Sequence, residues 1–265
     1  MKNILAEIVE KKKDIVAAAK KAVPFDEVKR AARPGRFGLS HRVRGEEWSL
    51  IAECKLQSPA KGRLCRTYSV TELAKIYEEN GASALSVHTD PHFLGSNEDF
   101  AEVRKMTNLP MLRKDFIIDE YQIYEARMLG ADAVLLIARI LSPRQLMEFL
   151  YLTWGLGMDA LVEVHDEADL KMALDTPAEF IGVNNRNLTT FTTSIENTIA
   201  LLPKIGEGRT IISESGVQNA EDAARLREAG CDGILVGEGL VTAPGVAQMT
   251  RQLSFVGAAA AQKSA

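Results

Sequence analysis

Cysteine is scarce in this chain, with three in 265 residues: Cys54, Cys65 and Cys231. Three cysteines make no disulfide framework, and none stands in CxxC or Cys/His metal spacing. Cys54 lies in a strand-like apolar run and reads as a small core residue. Long apolar runs are also missing, since none approaches the roughly 20 residues that span a bilayer. The N-terminus, with Met1-Lys2-Asn3 and Lys11-Lys12-Lys13, reads as a charged amphipathic stretch, not a signal peptide, so a cytoplasmic location is expected. Basic charge is not in excess: 32 Lys+Arg face 36 Asp+Glu, a net −4. That balance offers no footprint for nucleic acid and no polybasic patch for a membrane, and it favours a small-molecule or protein partner. His88, His92 and His165 lack metal-ligand spacing and read as exposed or hydrogen-bonded histidines, so no metal site is expected.

From about Ser49 onward, short apolar runs rich in β-branched residues alternate with helical patterns of ten to fifteen residues. Strands are predicted at Leu50–Lys55, Ala84–Thr89, Pro110–Lys114, Ala133–Ile137, Ala160–Val164, Phe180–Asn184, Thr210–Glu214 and Gly233–Val236, each followed by an amphipathic segment. Helices stop at Gly81, Gly130, Gly157 and Gly230, where glycine can take the left-handed conformation of a C-terminal cap. A doubly wound open sheet would advertise GxGxxG after its first strand, but Cys54-Lys55-Leu56-Gln57-Ser58 stands there. Eight strands alternating with eight helices point instead to an α/β fold, a (β/α)8 TIM barrel with an N-terminal helical extension. The length fits, because such barrels run to about 200–250 residues as one unit.

Residues 1–48 read as the helical extension, 49–256 as the barrel and 257–265 as a short tail expected to fray. The extension shows a helix through Lys21, a break at Pro24, a second helix and a loop around Pro34-Gly35. Ile4, Ile8, Ile15 and Ala19 recur at helical spacing and predict an apolar face docked over a barrel rim. The run Lys11–Lys13 reads as a solvated face of the same helix.

Barrels of this kind build their sites at the C-terminal ends of the strands. Because strand side chains alternate, Glu53 and Lys55 share a face with Ile51 and point into the mouth. Lys114, Glu163, Asn184 and Glu214 end four further strands. Mutual ion pairing accounts for part of this ring. Buried ion pairs are often no better than neutral against well-packed apolar side chains, so a polar ligand explains the ring better. Ser215-Gly216 and Gly237-Glu238-Gly239 follow strands seven and eight, where barrels commonly hold phosphate on backbone N–H groups; Glu238 must then turn its carboxylate away. Ser58-Pro59-Ala60-Lys61-Gly62 reads either as a lid or as a plain surface loop. Phe93 and Phe116 follow strands two and three and line an aromatic pocket or fill the core top.

Glu53-Cys54-Lys55, Ser58-Pro59-Ala60-Lys61-Gly62, Lys114-Asp115-Phe116-Ile117-Ile118-Asp119 with Tyr121-Gln122-Ile123-Tyr124-Glu125-Ala126-Arg127, Gly182-Val183-Asn184-Asn185-Arg186-Asn187-Leu188 and Ser213-Glu214-Ser215-Gly216 follow in that order. This series resembles the indole-3-glycerol phosphate synthase family over nearly the whole barrel. The resemblance implies ring closure of 1-(2-carboxyphenylamino)-1-deoxyribulose 5-phosphate with loss of carbon dioxide and water, a carbon–carbon lyase step of tryptophan biosynthesis. It implies Lys114 as general acid, Lys55 as partner of the substrate carboxylate, Glu163 as acid/base in dehydration and Glu53 as the carboxylate that orients the lysines. Asn184, Arg186, Glu214 and Ser215 match the groups that position substrate hydroxyls and carboxylate. Ser58, Gly216, Gly237 and Glu238 match the phosphate cradle. No cofactor is implied, because the aniline nitrogen supplies the electrons and the ketone accepts them. Two residues depart from the family's pattern: Ala60, where serine is usual, and His88, where an apolar residue is usual. An isomerase of a related barrel would want a Cys/Asp pair, and Cys54 has the wrong parity for the mouth. A non-catalytic sugar-phosphate-binding barrel is disfavoured by the intact Lys55, Lys114 and Glu163. No apolar helix stripe beyond core needs is apparent, which favours a monomer.

Overall fold

The computed structural model describes residues 4–187 and 192–255. Leu188 and the 257–265 tail lie outside the described residues.

Eight parallel strands form a closed barrel: β1 (Ser49–Cys54), β2 (Ala84–His88), β3 (Met111–Lys114), β4 (Ala133–Ile137), β5 (Asp159–Val164), β6 (Phe180–Asn184), β7 (Thr210–Glu214) and β8 (Gly233–Val236). Each pairs with its sequence neighbours, and β1 closes on β8 through Ile51 opposite Leu235. Residues of one parity meet inside the barrel, where Ile51, Ala84, Leu112, Leu135, Leu161, Phe180, Ile212 and Leu235 form one buried cluster. The other parity, including Leu50, Ala52 and Cys54, packs outward against the helices in a second and larger cluster. Cys54 therefore faces away from the mouth, and all three cysteines are buried and free.

The helices start and stop where their chemistry dictates. Ser69, Asp119 and Ser142 close capping boxes with Glu72, Gln122 and Gln145, which satisfies orphan N–H groups at three helix starts. Gly81, Gly130, Gly157 and Gly230 all take positive φ, between 66° and 104°. Among the described residues no helix is long and apolar enough to cross a membrane.

The extension brackets the barrel at both ends. Helix α1 (Ile4–Ala22) brings Ile4, Leu5 and Ile8 to the mouth. A short α2 (Phe25–Ala31) packs on the helix Glu120–Met128, where the Phe25 ring meets Tyr121 and Tyr124, and a third helix, α3 (Gly38–Val43), lies where only a loop is predicted. Leu39 and Val43 of α3 join the interior cluster and plug the opposite end, and Asp159 anchors α3 by accepting the Ser40 N–H at 2.9 Å. Six residues with a glycine at the start carry too little periodicity to announce a helix.

Two expectations for α1 are corrected. Ile15 is 38% exposed, and the buried stripe runs through Ile8, Lys12 and Val16 at i, i+4, i+8. Lys12 is thus not part of a solvated face, although Lys11 and Lys13 are exposed. Its Nζ lies 2.6 Å from both Asp90 Oδ2 and Asp115 Oδ1, which supply the charge that makes its burial tolerable.

Candidate active site

Parity places one side chain of each strand at the top of the barrel. Going round, these are Glu53, His88, Lys114, Ile137, Glu163, Asn184 and Glu214, with Gly237 just beyond β8. The first seven line a single cavity together with Lys55, Phe93, Phe116, His165, Arg186, Ser215 and the α1 residues. Gly237 lines the adjoining cavity with Gly216, Glu238 and Gly239. Among the proposed site residues, only Ser58 reaches neither: it is 1% exposed, and its hydroxyl accepts the Lys61 N–H at 3.2 Å, shaping the turn of the loop after β1.

The charges are organised around two lysines. Lys114 Nζ donates to Glu214 Oε2 and, at 3.3 Å, to Glu163 Oε2. Burial works against its charge, yet Glu214, Glu163 and Glu53 more than compensate and raise its pKa, so it is a charged ammonium. Glu163 is pushed up by burial but held below the usual carboxylate range by Lys114, His165 and a hydrogen bond from Asn184. Glu214 goes the other way, raised to about 8 by burial against the pull of Lys114, with the Glu163 charge adding to the rise. Lys55 Nζ lies 3.0 Å from Glu53 Oε1. Burial would raise Glu53, but Lys55, His88 and Lys114 hold it well below the usual range, so it is a carboxylate.

Glycine makes room for two of these carboxylates. A Cβ at Gly182 would collide with Glu214 Oε1, and one at Gly237 would lie 2.9 Å from Glu53 Cδ. After β7, Ser215 adopts a left-handed φ of 66°, a conformation uncommon outside glycine, and its carbonyl is held by Asn185 Nδ2 at 2.9 Å. That turn delivers Ser215 to both cavities. Glu238 does turn its carboxylate away from its own backbone, pairing with Lys61 of the loop after β1 and standing 3.6 Å from Arg186. Phe93 and Phe116, with ring centroids 6.1 Å apart, supply the aromatic wall.

The profile of the indole-3-glycerol phosphate synthase family matches residues 5–253. The chain belongs to that family. A relative of that name from Alkaliphilus metalliredigens is 41% identical over 257 residues, covering 94% of this chain and 97% of its own. The namesake from Carboxydothermus hydrogenoformans is 44% identical over 252 residues, covering 91% and 95%. Indole-3-glycerol phosphate synthases are carboxy-lyases of tryptophan biosynthesis. Solved structures share the fold at low identity: 3-hexulose-6-phosphate synthase from Salmonella typhimurium superposes with a TM-score of 0.62 at 16% identity, covering 78% of this chain and 97% of its own.

Relative to the synthase family, three site features escape a reading of the sequence. His88 fits the expectation of a hydrogen-bonded histidine, but it bonds inside the site, with Nε2 2.6 Å from Glu53 Oε1, and buried His165 stands there too, its Nε2 3.4 Å from Glu163 Oε1. Extending the alternation of Ala84 and Ser86 by two residues would have put His88 in the ring. Nothing local in the Gly182 motif reveals the space it leaves for the Glu214 carboxylate. Among the described residues, no group of three or more His, Cys, Asp or Glu side chains is arranged to hold a metal ion.

Proposed function

We propose that this chain converts 1-(2-carboxyphenylamino)-1-deoxyribulose 5-phosphate to indole-3-glycerol phosphate, with Lys114 as general acid. The carrying observation is a charged Lys114 between Glu163 and Glu214 in a cavity with an aromatic wall at one side and the glycine loops of β7 and β8 at the other. Ring closure needs a proton at the ketone oxygen as the electron-rich anilino ring attacks the ketone carbon, and a charged ammonium supplies one. Lys55 neutralises the substrate carboxylate until it leaves as carbon dioxide. Glu163, ionised and in contact with Lys114, takes the proton from the methylene carbon beside nitrogen in the closed ring while Lys55 protonates the departing hydroxyl, so that water is lost, and Glu53 steadies Lys55 and the cationic intermediate. Asn184, Arg186, Glu214 and Ser215 position hydroxyls and carboxylate against Phe93 and Phe116. Gly216, Gly237 and the Glu238 backbone receive the phosphate, and Ser58 acts by shaping the lid turn. The reaction as written balances without a cofactor. We place it in the cytoplasm in a monomer, consistent with three free buried cysteines.

Incubating the purified chain with this substrate and following indole fluorescence tests the reading. Fluorescence growth with stoichiometric carbon dioxide release is expected. A protein that binds the product but leaves the substrate unchanged overturns it in favour of a binding-only barrel.

A further inference from the structure

The top ring contains a titratable group to which the proposed reaction gives no part. His88 is 5% exposed, and its Nε2 lies 2.6 Å from Glu53 Oε1, the oxygen that also lies 3.0 Å from Lys55 Nζ. Its ring stacks on Phe93, with centroids 4.4 Å apart and planes 3° from parallel. Lys55 Nζ in turn lies 5.3 Å from the centroid of the Phe93 ring, within cation–π reach. Glu53, His88, Phe93 and Lys55 therefore close a circuit of contacts. An apolar residue in place of His88, the usual state of the family, can keep the packing on Phe93 but not the hydrogen bond.

The proton in that bond can be assigned by elimination. Glu53 is ionised and can only accept, so the hydrogen lies on His88 Nε2. The charged groups facing the ring are Glu53 and Lys55 from β1 and Lys114 from β3, whose Cα is the register partner of His88. Burial lowers the His88 pKa below the ordinary histidine value, Glu53 opposes this, and Lys55 and Lys114 add to it. The imidazole is thus neutral at neutral pH. A neutral second donor on Glu53 Oε1 orients the carboxylate without adding a third cation. It also divides the pull of Glu53, so Lys55 is held in place yet remains available to an incoming carboxylate.

We propose that His88 is a positioning residue for the reaction, a neutral Nε2–H donor that fixes Glu53 and Phe93 and through them sets Lys55 against the substrate carboxylate. This rests on the function proposed above and goes beyond it, because the groups assigned there reach the substrate without His88. Protonating His88 places a third positive charge beside Lys55 and Lys114 and shifts Glu53 towards the imidazolium, so kcat falls as pH drops through the His88 pKa.

The test compares wild type, His88→Leu and His88→Gln by indole fluorescence across pH, together with histidine side-chain 15N NMR. His88→Leu should lower kcat about tenfold while KM moves less than about threefold, because the phosphate loops are untouched. Glutamine, whose amide nitrogen can reach the place of Nε2, should recover kcat to within about threefold of wild type and lack the acid limb. The NMR spectrum should show a neutral Nε2–H tautomer for His88 that shifts in Glu53→Gln. A His88→Leu kcat within about twofold of wild type, glutamine no better than leucine, or an acid limb that persists in His88→Gln overturns the proposal. An Nδ1–H or protonated His88 at neutral pH overturns it even if no variant turns over. Absence of turnover in wild type with the Nε2–H tautomer present defeats the function proposed above and the positioning role with it, and leaves only the His88–Glu53 contact standing.

Discussion

Lys12 is buried and Lys114 partly so, and each stands between two carboxylates, but their surroundings differ. Lys12 is 2% exposed, and its partners are committed elsewhere: Asp115 also accepts from Thr89 Oγ1 at 2.7 Å and the Phe116 N–H at 2.7 Å, and Asp90 from the His92 N–H at 2.8 Å. Lys114 has a side chain that is 12% exposed, its Glu163 contact is a loose 3.3 Å, and both line the mouth cavity with Glu214. Tightly paired and closed to solvent, the cluster holds structure; loosely paired and open to a cavity, it retains bonding capacity for a ligand.

The sharpest way to break this contrast is to remove each lysine in turn. Lys114→Ala should lower the turnover rate by about 10²–10⁴-fold, the range for loss of a general acid, with an unchanged far-UV circular dichroism spectrum. An unimpaired rate removes Lys114 from the mechanism. Lys12→Met should act in the opposite sense, costing about 3–5 kcal/mol in urea unfolding because Asp90 and Asp115 lose their shared counter-charge, while turnover falls far less than in Lys114→Ala. A stability change within about 0.5 kcal/mol would mean that the cluster does not pin α1 to the barrel. Asp115 gives the same test a pH dependence. Burial raises its pKa, but Arg113 and Lys12 bring it below the usual value. Its stabilisation is therefore full above the unfolded value of about 3.9 and is lost as pH falls through the lower folded value.

The contrast also shows what a sequence can disclose. Strands such as Ala133–Ile137 and Thr210–Glu214 appear in the structure with the predicted limits, because a buried apolar run bounded by turn residues is a local signal. The mouth was legible for a related reason: alternation within one strand suffices to aim Glu53 inward. Lys12 was not legible, since the carboxylate that cancels its charge is 103 residues away and nothing local separates it from exposed Lys11 and Lys13. Helix α3 was missed because the barrel floor, not its own propensity, stabilises it. The job of Gly182 depends on a carboxylate in the next strand, which only the closed sheet brings alongside.

Gly182→Ala sharpens the comparison by changing space instead of charge. The added methyl has to displace the Glu214 carboxylate from Lys114, an overpacking cost of about 1–3 kcal/mol. Turnover should fall with it, while the Lys12 cluster, on the β2 and β3 loops, stays intact and α1 remains docked. Unfolding that follows α1 docking and turnover separately distinguishes the two; loss of both together would mean that the clusters are coupled through the barrel.

The last effect is a slope on approaching pH 8, present at Lys114 and absent at Lys12. Glu214, raised to about 8, binds a proton in the folded protein that the unfolded chain has already released above the usual carboxyl range. Stability should therefore decline as pH rises towards 8, by at most about 1.4 kcal/mol per pH unit for a single proton, whereas the Asp115 contribution is constant there. Glu214→Gln removes the titrating group while keeping the shape, so its stability curve should be flat across that window. If it keeps the wild-type slope, the proton resides elsewhere, and Lys114 is as fully compensated as Lys12.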